Sequence, residues 1–358
     1  VVQYITKKIL YSILVLFGVV TVIFFLFNVL PGDPATIMLG QRANKDAIDA
    51  IHKDLGTDRP IMEQYALYLN DLSPISVHSN ENKNSIWFLS PEKYSWIPLF
   101  TVGSNKSVVL KLPYLRRSYI TKRKVSDIIK ETLPETAVLA FSSIIMASII
   151  GIFLGIISAI KKNSFYDKLS LVLSVLGMAA PSFFVGLIIA WLFGYVLKDY
   201  TGLSPTGSLF DIDVWEGETL KIKNLILPAV TLGVRPLAIV VQLMRSSLLD
   251  VMSQDYIRTA KAKGLRLKAV IIKHALKNAL NPVVTAISGW FAGLMAGAVF
   301  VEYIFSWKGI GYEVFEALTK NDLPVVMGAT LIFATIFVAT NILVDIVYGI
   351  LDPRVRIK

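Results

Sequence analysis

The chain has 358 residues, 54% apolar and only 17% charged, with a mean hydropathy of +0.60; a soluble domain carries about a quarter charged residues. It has no cysteine, and its three histidines (His52, His78, His274) lie far apart. Disulfides, thiol catalysis and cysteine zinc sites are thereby excluded, and a metal centre has no support. The net charge of +10 raises nucleic acid as a partner, but the placement of the basic residues argues for a membrane instead.

Six apolar runs reach bilayer length, at about residues 9–30, 133–160, 169–197, 225–249, 282–301 and 325–351. About 20 mostly apolar residues cross ~30 Å of hydrocarbon. Such runs must be helices, because lipid offers the backbone no hydrogen-bond partners. The sequence thus predicts an all-α membrane protein of six transmembrane helices: an N-terminal helix (1–30), a large extracytoplasmic loop (31–131), then five closely spaced helices (132–358). The first run is too long for the apolar region of a cleaved signal, and Pro31-Gly32-Asp33-Pro34 follows in place of a cleavage site. Of the 36 Lys and Arg, 16 fall in segments expected inside and only five in the two short outer loops, so both termini are expected in the cytoplasm. The first outer loop holds 14 more, but long loops translocate largely regardless of charge.

Within that loop, residues 45–55 and 62–72 read as helices. The stretch 85–111 carries Trp87, Phe88, Tyr94, Trp96 and Phe100 in β-prone pieces. A folded outer subdomain would bury such aromatics; a docking surface for a soluble partner would use them.

The second run opens on Thr132-x-x-Glu135, a capping box with Pro134 in the first turn. Gly151-x-x-x-Gly155 and Gly289-x-x-x-Gly293-x-x-x-Gly297 each give a helix a small-residue face. Packing within the chain is the expected use; an interface with a second membrane subunit is the alternative. Pro181 and Pro236 interrupt helical ladders, as hinges or fixed kinks. Arg235 lies deep in the fourth run, where a charge is costly and must face a polar path or a carboxylate; Asp345 in the sixth run is a candidate partner.

The inner loop at 250–281 is helix-prone but too basic to enter lipid. Ala260 and Gly264 sit four apart and share a helical face, with Thr259 and Ala262 adding small residues for a partner to approach. A basic helix lying on anionic lipid is the competing reading. Asp255, Tyr256, Ile257, Arg258, Thr259, Ala260, Lys261, Ala262, Lys263 and Gly264, followed by His274-Ala275-Leu276-Lys277-Asn278-Ala279-Leu280-Asn281-Pro282, resemble the cytoplasmic EAA loop of ABC-importer permeases of the dipeptide/oligopeptide family. Leu30-Pro31-Gly32-Asp33-Pro34, Pro181-Ser182-Phe183, the run from Val301 through Trp307 to Gly311, and Asp352-Pro353-Arg354 resemble further motifs of that family, so the likeness covers nearly the whole chain. Lys308 departs from the family's proline, and the first outer loop is some tens of residues longer than usual.

The resemblance implies the five-helix type I permease core, a bacterial cytoplasmic (inner) membrane location and a division of labour. A second homologous permease, two ABC ATPases and an extracytoplasmic substrate-binding protein would be the partners, with lipid around them and no nucleic acid. ATP and Mg would be bound by the ATPases, for this chain has no G-x-x-x-x-G-K-[ST]. It would be a transport subunit with no catalytic residue. Asp255 to Gly264 would couple to an ATPase; Arg235, Pro181, Gly289, Gly293 and Gly297 would line or gate the path; Glu302, Trp307, Lys308, Gly309 and Gly311 would form a scoop facing the binding protein. Di- and oligopeptides are the first expected substrates, with nickel, glutathione and oligosaccharides also found among such permeases. A secondary transporter or channel would show more intramembrane ionisable residues or inverted halves.

Overall fold

The computed structural model describes residues 2–29, 33–39, 45–79, 85, 87–91, 93–102, 106–213 and 217–351. In chain order its elements are α1 (Val2–Val29), α2 (Pro34–Leu39), α3 (Lys45–Leu55), α4 (Ile61–Leu72), β1 (Ile75–Ser79), β2 (Trp96–Val102) and β3 (Lys106–Lys111). Then follow α5 (Val125–Ile160), α6 (Phe165–Ala179), α7 (Ser182–Trp191), α8 (Lys198–Thr201), β4 (Phe210–Asp213), β5 (Gly217–Leu220), α9 (Lys223–Met252) and α10 (Asp255–Ala262). The last are α11 (Leu267–Val270), α12 (Leu276–Ala279), α13 (Asn281–Gly297), α14 (Val299–Phe305), α15 (Ile310–Thr319) and α16 (Leu323–Leu351). They group into two compact units, one holding residues 6–131 and 313–335, the other residues 1–5, 132–312 and 336–358.

In the first unit, α1 buries Val20, Ile23 and Phe24 against Tyr68 of α4 and Met327 of α16. Its Thr21 hydroxyl shares a 2.6 Å hydrogen bond with Tyr65. The remaining faces of α1 expose Leu10, Leu14 and Phe17, as a helix in lipid does. The β-prone stretch forms an antiparallel sheet in the order β1-β3-β2, with Ile75 opposite Leu110 and Trp96 opposite Lys111. Tyr94 and Val109 are buried beneath it while Phe100 is exposed, so only part of the aromatic set is core. Asp322 pins the segment after the sheet, accepting from the Ser118 hydroxyl and, at 2.8 Å, from the Tyr119 N–H.

The second unit is a helical bundle around α9, whose buried residues include Leu232, Val240, Met244 and Leu248. Gly151 and Gly155 of α5 lie directly against it. An added Cβ would meet Val240 at 2.7 Å and Met244 at 2.6 Å.

Two expectations are corrected here. The capping box at Thr132–Glu135 opens no helix: α5 begins at Val125, so Pro134 sits inside it. The helix runs past the apolar stretch because Ser126–Glu131 is amphipathic, burying Ile128 and Ile129. The third run is not one straight span either. It breaks at Ala180-Pro181, and its halves, Phe165–Ala179 and Ser182–Val196, meet at 111°. Proline cannot donate to the ladder and disfavours the helical conformation at the residue before it; Ala180 is extended, with ψ 132°. Among the described residues four helices are long and apolar enough to cross a membrane, or up to six if each bent pair counts as one.

Candidate functional site

The second unit assembles three groups of the residues singled out from the sequence. The first is α10, joined to α9 by two residues. Ile257 (0% exposed) and Ala260 (7%) turn inward against Leu248, Val270, Ala275 and Ala279. Asp255, Tyr256, Arg258, Thr259, Lys261, Ala262, Lys263 and Gly264 are exposed. The small side chain of Ala260 thus lets α10 approach the helices of its own chain. The Tyr256 hydroxyl accepts from Asn278 Nδ2 at 2.9 Å, tying α10 to α12. Arg258 reaches Asp255 at 3.3 Å, and the Thr259 hydroxyl donates to the Asp255 carbonyl at 3.0 Å. Lys263 caps the helix and Gly264 turns the chain at φ +78° with open space around it. Glycine reaches that left-handed region without strain. The outcome is a short basic rod held from behind, with Arg258, Lys261 and Lys263 offered outward.

A cavity of about 140 Å³ lies at the Pro181 break, lined by Gly177, Ser182, Thr231, Arg235, Trp290 and Gly293 among others. Arg235 is exposed on this face and has no ion pair among the described residues; the side chain of its proposed partner, Asp345, lies outside them. Gly289 and Gly293 have nothing within 4 Å of where a Cβ would sit. The expected packing of this glycine stripe within the chain is therefore not found there. Gly297 closes α13, and its surroundings lie outside the described residues.

The third group is a buried knot. Glu302 is fully buried and accepts from the Tyr312 N–H at 3.1 Å. Trp307, also buried, donates its indole N–H to the Glu135 carbonyl at 3.0 Å, and the Ile310 N–H donates to the Thr136 hydroxyl at 2.9 Å. A Cβ on Gly309 would lie 2.4 Å from Glu302 Oε2, and one on Gly311 2.7 Å from the Val299 Cα. Burial pushes the Glu302 carboxyl up to about 7, with the Glu135 charge adding to the rise against bonds from Thr136, Tyr312 and Gly311. Four of the five residues expected to face a binding protein thus hold the turn together from inside. Only Lys308 is exposed.

Sequence reading missed one further element, a clamp at the start of α6. Asp167 is 1% exposed. It receives Arg245 Nε at 2.6 Å and its guanidinium NH2 at 2.8 Å, together with the Asn163 N–H at 2.8 Å and the Ser158 hydroxyl. The available signal was Ser164-x-x-Asp167, a helix start at which the Ser164 hydroxyl accepts from the Asp167 N–H.

Residues 151–357 match the model of the binding-protein-dependent transport system inner membrane component, and residues 1–83 match that of its N-terminal region. The chain is 35% identical to the dipeptide transport system permease protein DppB of Alkalihalophilus pseudofirmus, with 99% of each chain covered. It is 33% identical to the di/tripeptide permease protein DppB of Pseudomonas aeruginosa (95% and 94% covered) and 30% identical to the glutathione permease protein GsiC of Escherichia coli (99% of each). Among solved structures, an inward-facing MetNI methionine ABC transporter chain superposes with a TM-score of 0.50 at 15% identity, over 63% of this chain and 97% of that one. That likeness concerns the fold alone.

Proposed function

We propose, since the chain belongs to the binding-protein-dependent transport system inner membrane component family, that it forms half of the translocation path of an ATP-driven importer of di- and oligopeptides. The observation that carries this reading is α10: a basic rod exposed on one side and anchored by Ile257 and Ala260 on the other. An ATPase subunit would receive Arg258, Lys261 and Lys263 at an acidic cleft, and the anchor would pass its motion to α9, α11 and α12. ATP and its magnesium would be bound and hydrolysed in those partners.

A second, homologous permease would cover the open stripe of Gly289 and Gly293, closing a path lined by Arg235 and flexed at Pro181. Counting each bent pair as one span gives six, with both termini and α10 in the cytoplasm and the sheet of the first unit outside. There an extracytoplasmic binding protein would deliver substrate, meeting Lys308. Peptides are favoured by the end-to-end similarity to permeases named for dipeptides and tripeptides.

The test is mass spectrometry of what co-purifies with the tagged chain, followed by radiolabelled dipeptide uptake. A second permease and P-loop ATPases in stoichiometric amount, with uptake abolished by Gly264→Leu at equal expression, are the expected result. A lone chain without ATPase would return the protein to the carriers or channels. An intact complex that ignores dipeptides but takes up glutathione would keep the machine and change its cargo.

A further inference from the structure

The sheet-bearing unit holds a cavity that the transport reading above does not use. Its volume is about 300 Å³, at the small end of the range for sites that take small molecules. Four cations line it (Lys93, Arg116, Arg117 and Lys122) against one carboxylate, Asp71. Asp71 already accepts from the Tyr94 hydroxyl at 2.6 Å and faces Arg116 at 3.9 Å. Arg116 in addition lies over the Tyr68 ring, 5.3 Å from its centroid. Lys93 and Lys122 lie within electrostatic reach of Asp71 and Asp322 without a salt bridge to either, and four cations against these two carboxylates leave the lining net positive.

The geometry is pre-set. Arg116 and Lys122 hold the left-handed backbone conformation, at φ +64° and +61°, which non-glycine residues adopt at a cost and which clusters at ligand clamps. The turn between them is fastened by the Ser118 hydroxyl, which receives the Thr121 N–H at 2.8 Å, and by the grip of Asp322 on Ser118 and Tyr119. Behind the cations lie tyrosine rings (Tyr114, Tyr119) and an apolar floor of Leu55 and Leu67. An anion at the rim with an apolar group directed to the floor satisfies every part of this lining.

We infer that this cavity binds the free C-terminal end of a short peptide, its carboxylate on Arg117, Lys122 and Lys93 and its last side chain against Leu55 and Leu67. The inference rests on the peptide reading for the choice of carboxylate over other anions. It gives the unit a substrate site separate from the path at Arg235.

The experiment uses the whole transporter complex in nanodiscs of zwitterionic lipid and titrates dileucine, dileucine amide and inorganic phosphate by calorimetry. Arg117→Gln with Lys122→Gln is the test variant, because both side chains are exposed at the rim and neither is packed in the core. Dileucine should bind at least about tenfold tighter than its amide, and the double variant should weaken it by at least about tenfold, as loss of charged hydrogen bonds requires. Equal binding of the amide, or a double variant that binds dileucine as wild type does, overturns the site. Phosphate binding as tightly as dileucine, or dileucine binding abolished when phosphatidylglycerol is added to the disc, overturns the peptide as occupant in favour of a phosphate-bearing one. Cellular uptake of labelled dileucine separates the two levels. Uptake with no variant-sensitive binding removes this site and leaves the importer, whereas no uptake by any complex removes the peptide reading itself.

Discussion

Gly151-x-x-x-Gly155 and Gly289-x-x-x-Gly293 are the same pattern in the same kind of helix, and they meet opposite fates. The first is filled by Val240 and Met244 of α9, with no room for a methyl group; the second faces open space. A stripe of small residues thus marks where a helix can be approached closely. Whether the neighbour comes from its own chain is decided elsewhere. The glycines at 309 and 311, packed on Glu302, extend the sealed class.

The largest expected effect lies on the sealed side. Gly155→Val places carbon against the Met244 Cβ and the Val241 carbonyl, at 2.6 and 2.9 Å, and a backbone oxygen in a packed bundle cannot yield far. Overpacking costs about 1–3 kcal/mol or more, so the variant should give little monodisperse protein and a lowered melting temperature in detergent. A wild-type melting temperature would break the contrast. Gly293→Val should melt within about 0.5 kcal/mol of wild type when the chain is alone. Transport by the assembled complex should nevertheless drop by an order of magnitude and the second permease should be lost on purification, two readouts that sealed glycines cannot separate.

Acidity sharpens the sealed pole. Glu302 ionises near 4.5 in an exposed chain and at about 7 when buried in the knot. The folded state therefore binds its proton more tightly, and stability present below pH 4.5 declines as pH rises through about 7. The melting temperature should fall across that window, and Glu302→Gln should flatten the slope; an unchanged slope would move the titration elsewhere. The smallest effect belongs to Gly264→Ala. No atom obstructs the new methyl, so only the φ of +78° is penalised, by about 1 kcal/mol. Dipeptide uptake should decrease severalfold while the melting temperature falls by only about 1–2 °C, as a strain of this size produces in a large chain.

Much of this was legible. The family motifs located α10, and the turn at Gly264 followed from glycine's freedom at positive φ. The bounds of α3 were clear because residues 45–55 alternate polar and apolar groups at helical spacing. What failed was facing. Ala260 shares a side with Ile257, three residues earlier, and that apolar neighbour was the better guide to which side is buried than the small residues were. The run from Glu302 to Gly311 was read as surface because its position suggested a partner, although a tryptophan followed at once by two close glycines, Gly309 and Gly311, is also compatible with a tight internal turn. The clamp at Asp167 was invisible for a different reason: Arg245 stands 78 residues away, and no local pattern announces an ion pair of that reach.

That clamp also decides how force would travel. Arg245 lies on α9 seven residues before its end at Met252, and α10 follows after Ser253 and Gln254. A twist applied at α10 would reach the head of α6 through a two-pronged, buried fastening instead of through sliding apolar surfaces. The arm of α6 then runs 15 residues to the elbow at Pro181. Driven from α10 as proposed above, the chain would work as a crank, with its pin at one end of α6 and its throw beside Arg235 at the other.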